Sequence, residues 1–154
     1  MRRHAVAVLA IISLFAAVRS QAAEDNEEAV AKDLQAFKGT WRLSSKEEDG
    51  KKFSEEEIRD VIATNDGSGK VSVRRGGKVY NEGTVKLDPT KKPKAIDVTF
   101  IEGERKGQRV LGIYEIEGDA FRVCVAPPGD ERPSEFSAKA GSGRILVAYK
   151  REKT

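Results

Sequence analysis

The spacing of apolar positions changes at Gly39. Before it, Val30, Leu34 and Phe37 recur at i, i+4 and i+7, one stripe along a helix. The pattern predicts a short helix over 24–38. Asp25 or Asn26 can cap its start, and Glu27 and Glu28 fall in the first turn, where the helix dipole favours acids. Gly39 stands where helices commonly stop. Beyond it the period is two. Trp41, Leu43 and Ser45 alternate with polar residues, as in a strand. Asp49-Gly50 is a turn signal, and Ser54-Glu55-Glu56-Glu57 is a capping box that starts a turn or two of helix through Ile58 and Val61.

Seven more short strands follow, separated by turn residues. Val61–Asn65 meets Lys70–Arg75 across Asp66-Gly67-Ser68-Gly69, and Arg75 meets Lys78 across Gly76-Gly77. Lys78–Asp88, with Val79, Val85 and Leu87, ends at the Pro89–Pro93 break. Ala95–Ile101 carries Ile96, Val98 and Phe100 on one face. Arg109–Glu117 and Ala120–Ala126 are joined by Gly118-Asp119. A Pro/Gly-rich loop runs from Pro127 to Gly143 before the last strand, Arg144–Arg151. Links this short require antiparallel pairing, since parallel strands need helical crossovers. Eight such strands leave two bare edges unless the sheet closes. The expected fold is therefore mostly β: an eight-stranded antiparallel up-and-down barrel, with a short N-terminal helix and a short helix after the first strand. Arg109–Ile116 is apolar on both faces, which suits a wall with something packed on each side.

The N-terminus has a different pattern. Met1-Arg2-Arg3-His4 is basic, Ala5 to Val18 is uncharged with Ser13 its only polar residue, and Ser20-Gln21-Ala22 supplies small residues for cleavage. This is the three-part secretory pattern, and the apolar run is too short for a membrane span. The expected organisation is a signal peptide at 1–22, a helical segment at 23–38 and a barrel domain at 39–154. The expected location is periplasmic or extracellular, with no membrane span after cleavage.

That segment changes the charge balance. The whole chain has 28 basic and 25 acidic residues, a net charge of +3 and a pI near 9.0. Cleavage removes Arg2, Arg3 and Arg19 and no acid, so 25 basic residues face 25 acidic ones. The case for nucleic acid then largely goes, and no nucleic-acid partner is expected. His4, the only histidine, leaves as well. Without it the chain has no Ser-His-Asp or Cys-His machinery and no imidazole ligand for a metal. The single Cys124 makes no internal disulfide. No cofactor is expected.

Gly39-Thr40-Trp41 resembles the Gly-x-Trp that opens the first strand of lipocalin-like barrels, where a basic residue near the last strand, here Arg151 or Lys150, packs over the Trp. The string from Leu87 to Asp97 resembles an uncharacterised domain family of planctomycete bacteria. So do Val110–Glu115 and Cys124–Phe136, and the resemblance covers nearly all of residues 34–152. It implies a lipocalin-like barrel of bacterial origin and carries no activity.

Six residues are candidates for a barrel-end or ligand role: Trp41, Tyr114, Arg122, Cys124, Arg132 and Arg151. Trp41 with Arg151 suits a stacked barrel-end plug. Cys124 sits in an apolar strand and reads as a small buried hydrophobe. Arg132, with Glu131 and Glu135, lies in the Pro127–Gly143 loop, which is expected at the barrel mouth as a recognition element or an ion-pair network. Asp66–Gly69 lacks the acidic spacing of a calcium loop and reads as a turn. Lys70, Arg74, Arg75 and Lys78 read as a solvated strand face. The leading expectation is a non-enzymatic exported barrel that binds a small, partly apolar ligand, which requires an interior cavity of a few hundred Å3. The alternative is an envelope protein-interaction or structural module acting through the Pro127–Gly143 loop. A third reading, an enzyme using carboxylates or Tyr114, requires acids converging with Arg122 or Arg132.

Overall fold

The computed structural model describes the backbone of residues 9–153 and side chains from residue 21. Helix α1 runs Leu9–Phe37, 29 residues without interruption. It does not begin at Asp25 or Asn26, which lie in its interior. The reason is local: no Gly or Pro stands between Leu9 and Phe37, and Ala22-Ala23 are strong helix formers, so nothing upstream ends the helix for a cap to restart. Residues 1–8, and the side chains of most of the expected signal segment, lie outside the described residues. Among the described residues no helix is long and apolar enough to cross a membrane. The helix stops where expected, before Gly39.

Nine strands follow: β1 (Gly39–Glu48), β2 (Lys51–Lys52), β3 (Val61–Asn65), β4 (Lys70–Arg75), β5 (Lys78–Asp88), β6 (Lys94–Gly103), β7 (Arg109–Glu117), β8 (Ala120–Val125) and β9 (Ile145–Arg151). From β3 to β9 each pairs antiparallel with the next, β1 pairs with β3, and β1 also pairs with β9. That last seam, from Trp41 opposite Arg151 to Glu48 opposite Ile145, closes an eight-stranded barrel and removes both edges. The two-residue β2, absent from the sequence reading, only folds back on β1 after the Asp49-Gly50 turn. Helix α2 (Glu55–Ile58) carries the expected capping box. The Glu57 amide donates to Ser54 Oγ at 3.4 Å, and the Ser54 amide donates to Glu57 Oε2 at 2.8 Å.

Alternation sorts the side chains into two layers. Leu43, Ala63, Val98, Val110, Phe121 and Tyr149 belong to the interior core. On the opposite face of the wall, Ala95, Ile113 and Cys124 are also buried, beneath Pro133 and Ala138 of the 126–144 loop. The two-faced apolar pattern of β7 is thus occupied on both sides.

Three bulges interrupt the alternation. In the β1–β9 seam Leu43 pairs with Tyr149 and Ser45 with Ala148, so Ser44 is the extra residue in β1, and Ser45, expected to continue the Trp41 and Leu43 alternation, is exposed. Val73 pairs with Asn81 and Arg74 with Val79, so Tyr80 is the extra residue in β5. Glu82 pairs with Glu102 and Gly83 with Phe100, so Ile101 is the extra residue in β6. Val79, grouped with Val85 and Leu87 in the sequence, is exposed as a result, and Ile101 is exposed as well.

Candidate functional site

Helix α1 seals one end of the barrel. Phe37 enters the core, its ring centroid 5.0 Å from that of Phe121 and 5.4 Å from that of Tyr114. A helix leaves its last carbonyls without intrahelical partners, and here two side chains from the barrel meet them. Trp41 Nε1 donates to Phe37 O at 2.8 Å. Arg151 donates to Ala36 O at 2.9 Å and Lys38 O at 2.7 Å. The same guanidinium lies 4.1 Å from the Trp41 ring centroid and pairs with Asp119 at 3.0 Å. Gly39 makes room for it: its φ is +127°, and a Cβ there would stand 2.8 Å from Arg151 Nη1. One turn earlier in α1, Asp33 is only 7% exposed. It accepts from Tyr114 Oη at 2.7 Å and Lys94 Nζ at 2.8 Å. Burial, with the Asp33 carboxylate beside it, pushes the Tyr114 phenol well above its ordinary value. Trp41, Tyr114 and Arg151 therefore hold the plug in place.

The Pro127–Gly143 loop begins and ends at the end of the barrel away from α1, where Gly50 N donates to Ala138 O and Gly143 N to Asp49 Oδ1, but none of its residues lines the interior there. It lies along the outer wall, because the wall offers it apolar surface and carbonyls that strand pairing leaves with spare lone pairs. Arg132 donates to Gly112 O at 2.7 Å and Ile96 O at 3.0 Å and pairs with Asp97 at 2.7 Å. Burial alone would raise the Asp97 carboxyl, but hydrogen bonds and charge from Arg132 and Arg109 hold it below the usual range. Cys124 is fully buried beneath the loop, 3.4 Å from Ser137 O, and burial pushes its thiol up. Arg122 is exposed, pairs with Glu115 at 2.5 Å and stacks on Phe136 at 3.9 Å. The Asp66 carboxylate is committed to its own turn, accepting from the Ser68 amide at 2.7 Å and the Lys70 amide at 3.2 Å.

Inside the barrel is a cavity of about 510 Å3. Its walls are mostly apolar, among them Leu43, Ala63, Val85, Val98, Phe121 and Val147, with Asn65 and Asn81 as polar exceptions. The Tyr149 phenol, stacked on Phe121 at 4.8 Å, is also pushed up by burial. The end away from α1 is polar and carries Lys46, Glu48, Arg75, Tyr80, Glu104, Arg105 and Gln108. None of the six candidate residues lines this cavity. Sequence reasoning missed its rim for two reasons. Tyr80 faces in only because β5 bulges there. Glu104, Arg105 and Gln108 belong to the charged β6–β7 turn, which reads as solvent-facing in isolation. Arg75 was visible only as part of a basic strip.

Comparison of the chain with protein-family models, with curated proteins and with solved structures finds no match in any of the three.

Proposed function

We propose that this chain is an exported, non-enzymatic protein that binds one small, partly apolar molecule inside the barrel. The observation that carries this reading is the apolar cavity of about 510 Å3, sealed by α1 at one end and rimmed by polar groups at the other. Its volume falls within the roughly 300–1,000 Å3 of ligand sites, and apolar walls with a few polar groups are their usual lining. The export pattern of residues 1–22 and the lipocalin-like resemblance of residues 34–152 support the same reading. The rival reading, a docking module acting through the 127–143 loop, finds less support, because Pro133 and Ala138 are buried on the chain's own wall.

The test is a fluorescence titration with the uncharged apolar probe N-phenyl-1-naphthylamine. The full chain is expected to bind it saturably at one site. Val98→Phe and Val147→Phe, each adding volume inside the cavity, are expected to weaken binding about tenfold or more while keeping a cooperative melt. Overpacking costs about 1–3 kcal/mol, so the second site guards against one variant failing to fold. Absence of saturable binding, or equal binding by both filled variants, sinks the proposal.

A further inference from the structure

The rim of the cavity is not electrically balanced. Three basic and two acidic side chains face it: Lys46, Arg75, Arg105, Glu48 and Glu104. Lys46 is paired with Glu48 at 2.7 Å. Glu104 stands beside the Tyr80 phenol, which burial and that carboxylate together push up. Arg75 and Arg105 have no carboxylate within 4.0 Å among the described residues. Arg75 donates from Nη2 to Glu57 O at 3.2 Å and lies 5.6 Å from the Tyr80 ring centroid.

Arg105 is the sharper case. It is partly buried, and Nε is its one side-chain nitrogen with a hydrogen bond among the described residues, to Gln108 Oε1 at 3.1 Å. Its backbone amide is fixed by the buried Asn81, donating to Oδ1 at 3.0 Å. Its guanidinium lies 4.7 Å from the centroid of the Phe100 ring, itself part of the cavity wall. The backbone and Nε are therefore held while both terminal nitrogens are left unpaired. Arg144, also partly buried, has no side-chain hydrogen bond among the described residues either, but it does not line the cavity; the remaining two partly buried guanidiniums show the contrast. Arg132 and Arg151 each place both terminal nitrogens on protein acceptors. An always-charged group beside apolar walls, with its two-pronged end unpaired, matches the geometry of a carboxylate.

We propose that the ligand is an amphiphile with a single carboxylate head, its apolar tail inside the barrel and its head at the mouth on Arg105, with Arg75 and Tyr80 alongside. This rests on the binding reading above and names the ligand class.

Dodecanoate, dodecanol and dodecylammonium, each below its micelle concentration at pH 8, are competed against the bound naphthylamine probe on the full chain. Dodecanoate is expected to displace it at least tenfold more effectively than dodecanol, and dodecylammonium least. Arg105→Gln is expected to remove most of the dodecanoate advantage and leave dodecanol unchanged, and Arg105→Lys to restore only part of it. Unchanged dodecanol binding shows that the barrel of each variant is intact. If dodecanol and dodecanoate bind equally, or Arg105→Gln weakens both alike, the carboxylate proposal is overturned and the cavity reading stands. If none of the three displaces the probe and the probe itself does not bind, the cavity reading falls and this proposal with it.

Discussion

Replacing Arg151 with Ala isolates what holds the α1 plug on the barrel. The variant loses two charge-assisted bonds to Ala36 O and Lys38 O and the stack on Trp41. Hydrogen bonds involving a charged group contribute about 1.5–3 kcal/mol each, and a partly exposed cation–π contact about 0.5–1 kcal/mol. Two reductions apply. Lys38 is exposed, so water replaces the lost donor there. The Asp119 carboxylate is 66% exposed, so that ion pair adds little. The expected loss is about 2–4 kcal/mol, of which the Ala36 bond and the indole stack carry most. In urea, with a slope of about 1–3 kcal/mol per molar, the midpoint should fall by roughly 1–2 M with the slope unchanged. Trp41 is the only tryptophan and is fully buried, so its emission follows this end of the barrel directly. Native Arg151→Ala should emit to the red of the parent, because the indole loses its cover. Arg151→Lys keeps the charge without the fork and should recover less than half of the loss. A loss below about 1 kcal/mol, or full recovery by lysine, would refute the reasoning, since charge alone would then suffice.

Two further outcomes follow from the outer wall. Cys124 is fully buried with its thiol pushed up, so a thiol reagent at pH 8 should react over hours in the native protein and within seconds in denaturant; prompt native reaction would show the 126–144 loop lifting off. Asp97 has a folded pKa below its ordinary value of 3.8, so its contribution to stability is complete above that value and is lost as pH falls through the folded pKa. Asp97→Asn should therefore destabilise at pH 7 and lose less further stability than the parent between pH 4 and pH 2, read by urea midpoints at each pH; parallel curves would remove the Arg132–Asp97 anchor from the account.

Much of the wall was legible along the chain. The β3, β4, β5 and β7 boundaries match the turn residues that flank them, because a glycine or proline cluster acts on its own neighbours. Ser54 and Glu57 are three residues apart and need nothing distant to satisfy each other. Even the closed end was readable in part, since Trp41 and Arg151 open and close the barrel and the first and last strands must meet at its seam. The β5 register was not readable, because the bulge at Tyr80 depends on how β4 is paired.

The amino-acid sequence alone determined an antiparallel eight-stranded closure, a helix ending before Gly39 and a wall apolar on both faces. These follow from period, turn chemistry and edge satisfaction, which are local or nearly so. Tertiary structure alone decided where the candidate residues stand and what the barrel encloses. The long loop lies on the outer wall because Arg132 finds the carbonyls of Ile96 and Gly112 there, side by side across two strands. The cavity exists because the inward side chains of all the barrel strands together do not fill the space that closure defines, a sum over residues such as Ala63, Val98 and Val147 that no stretch of sequence contains. Arg105 becomes a candidate ligand contact for the same reason. Only the closed barrel turns an ordinary charged hairpin turn toward an apolar interior and leaves both terminal nitrogens of its guanidinium unpaired among the described residues.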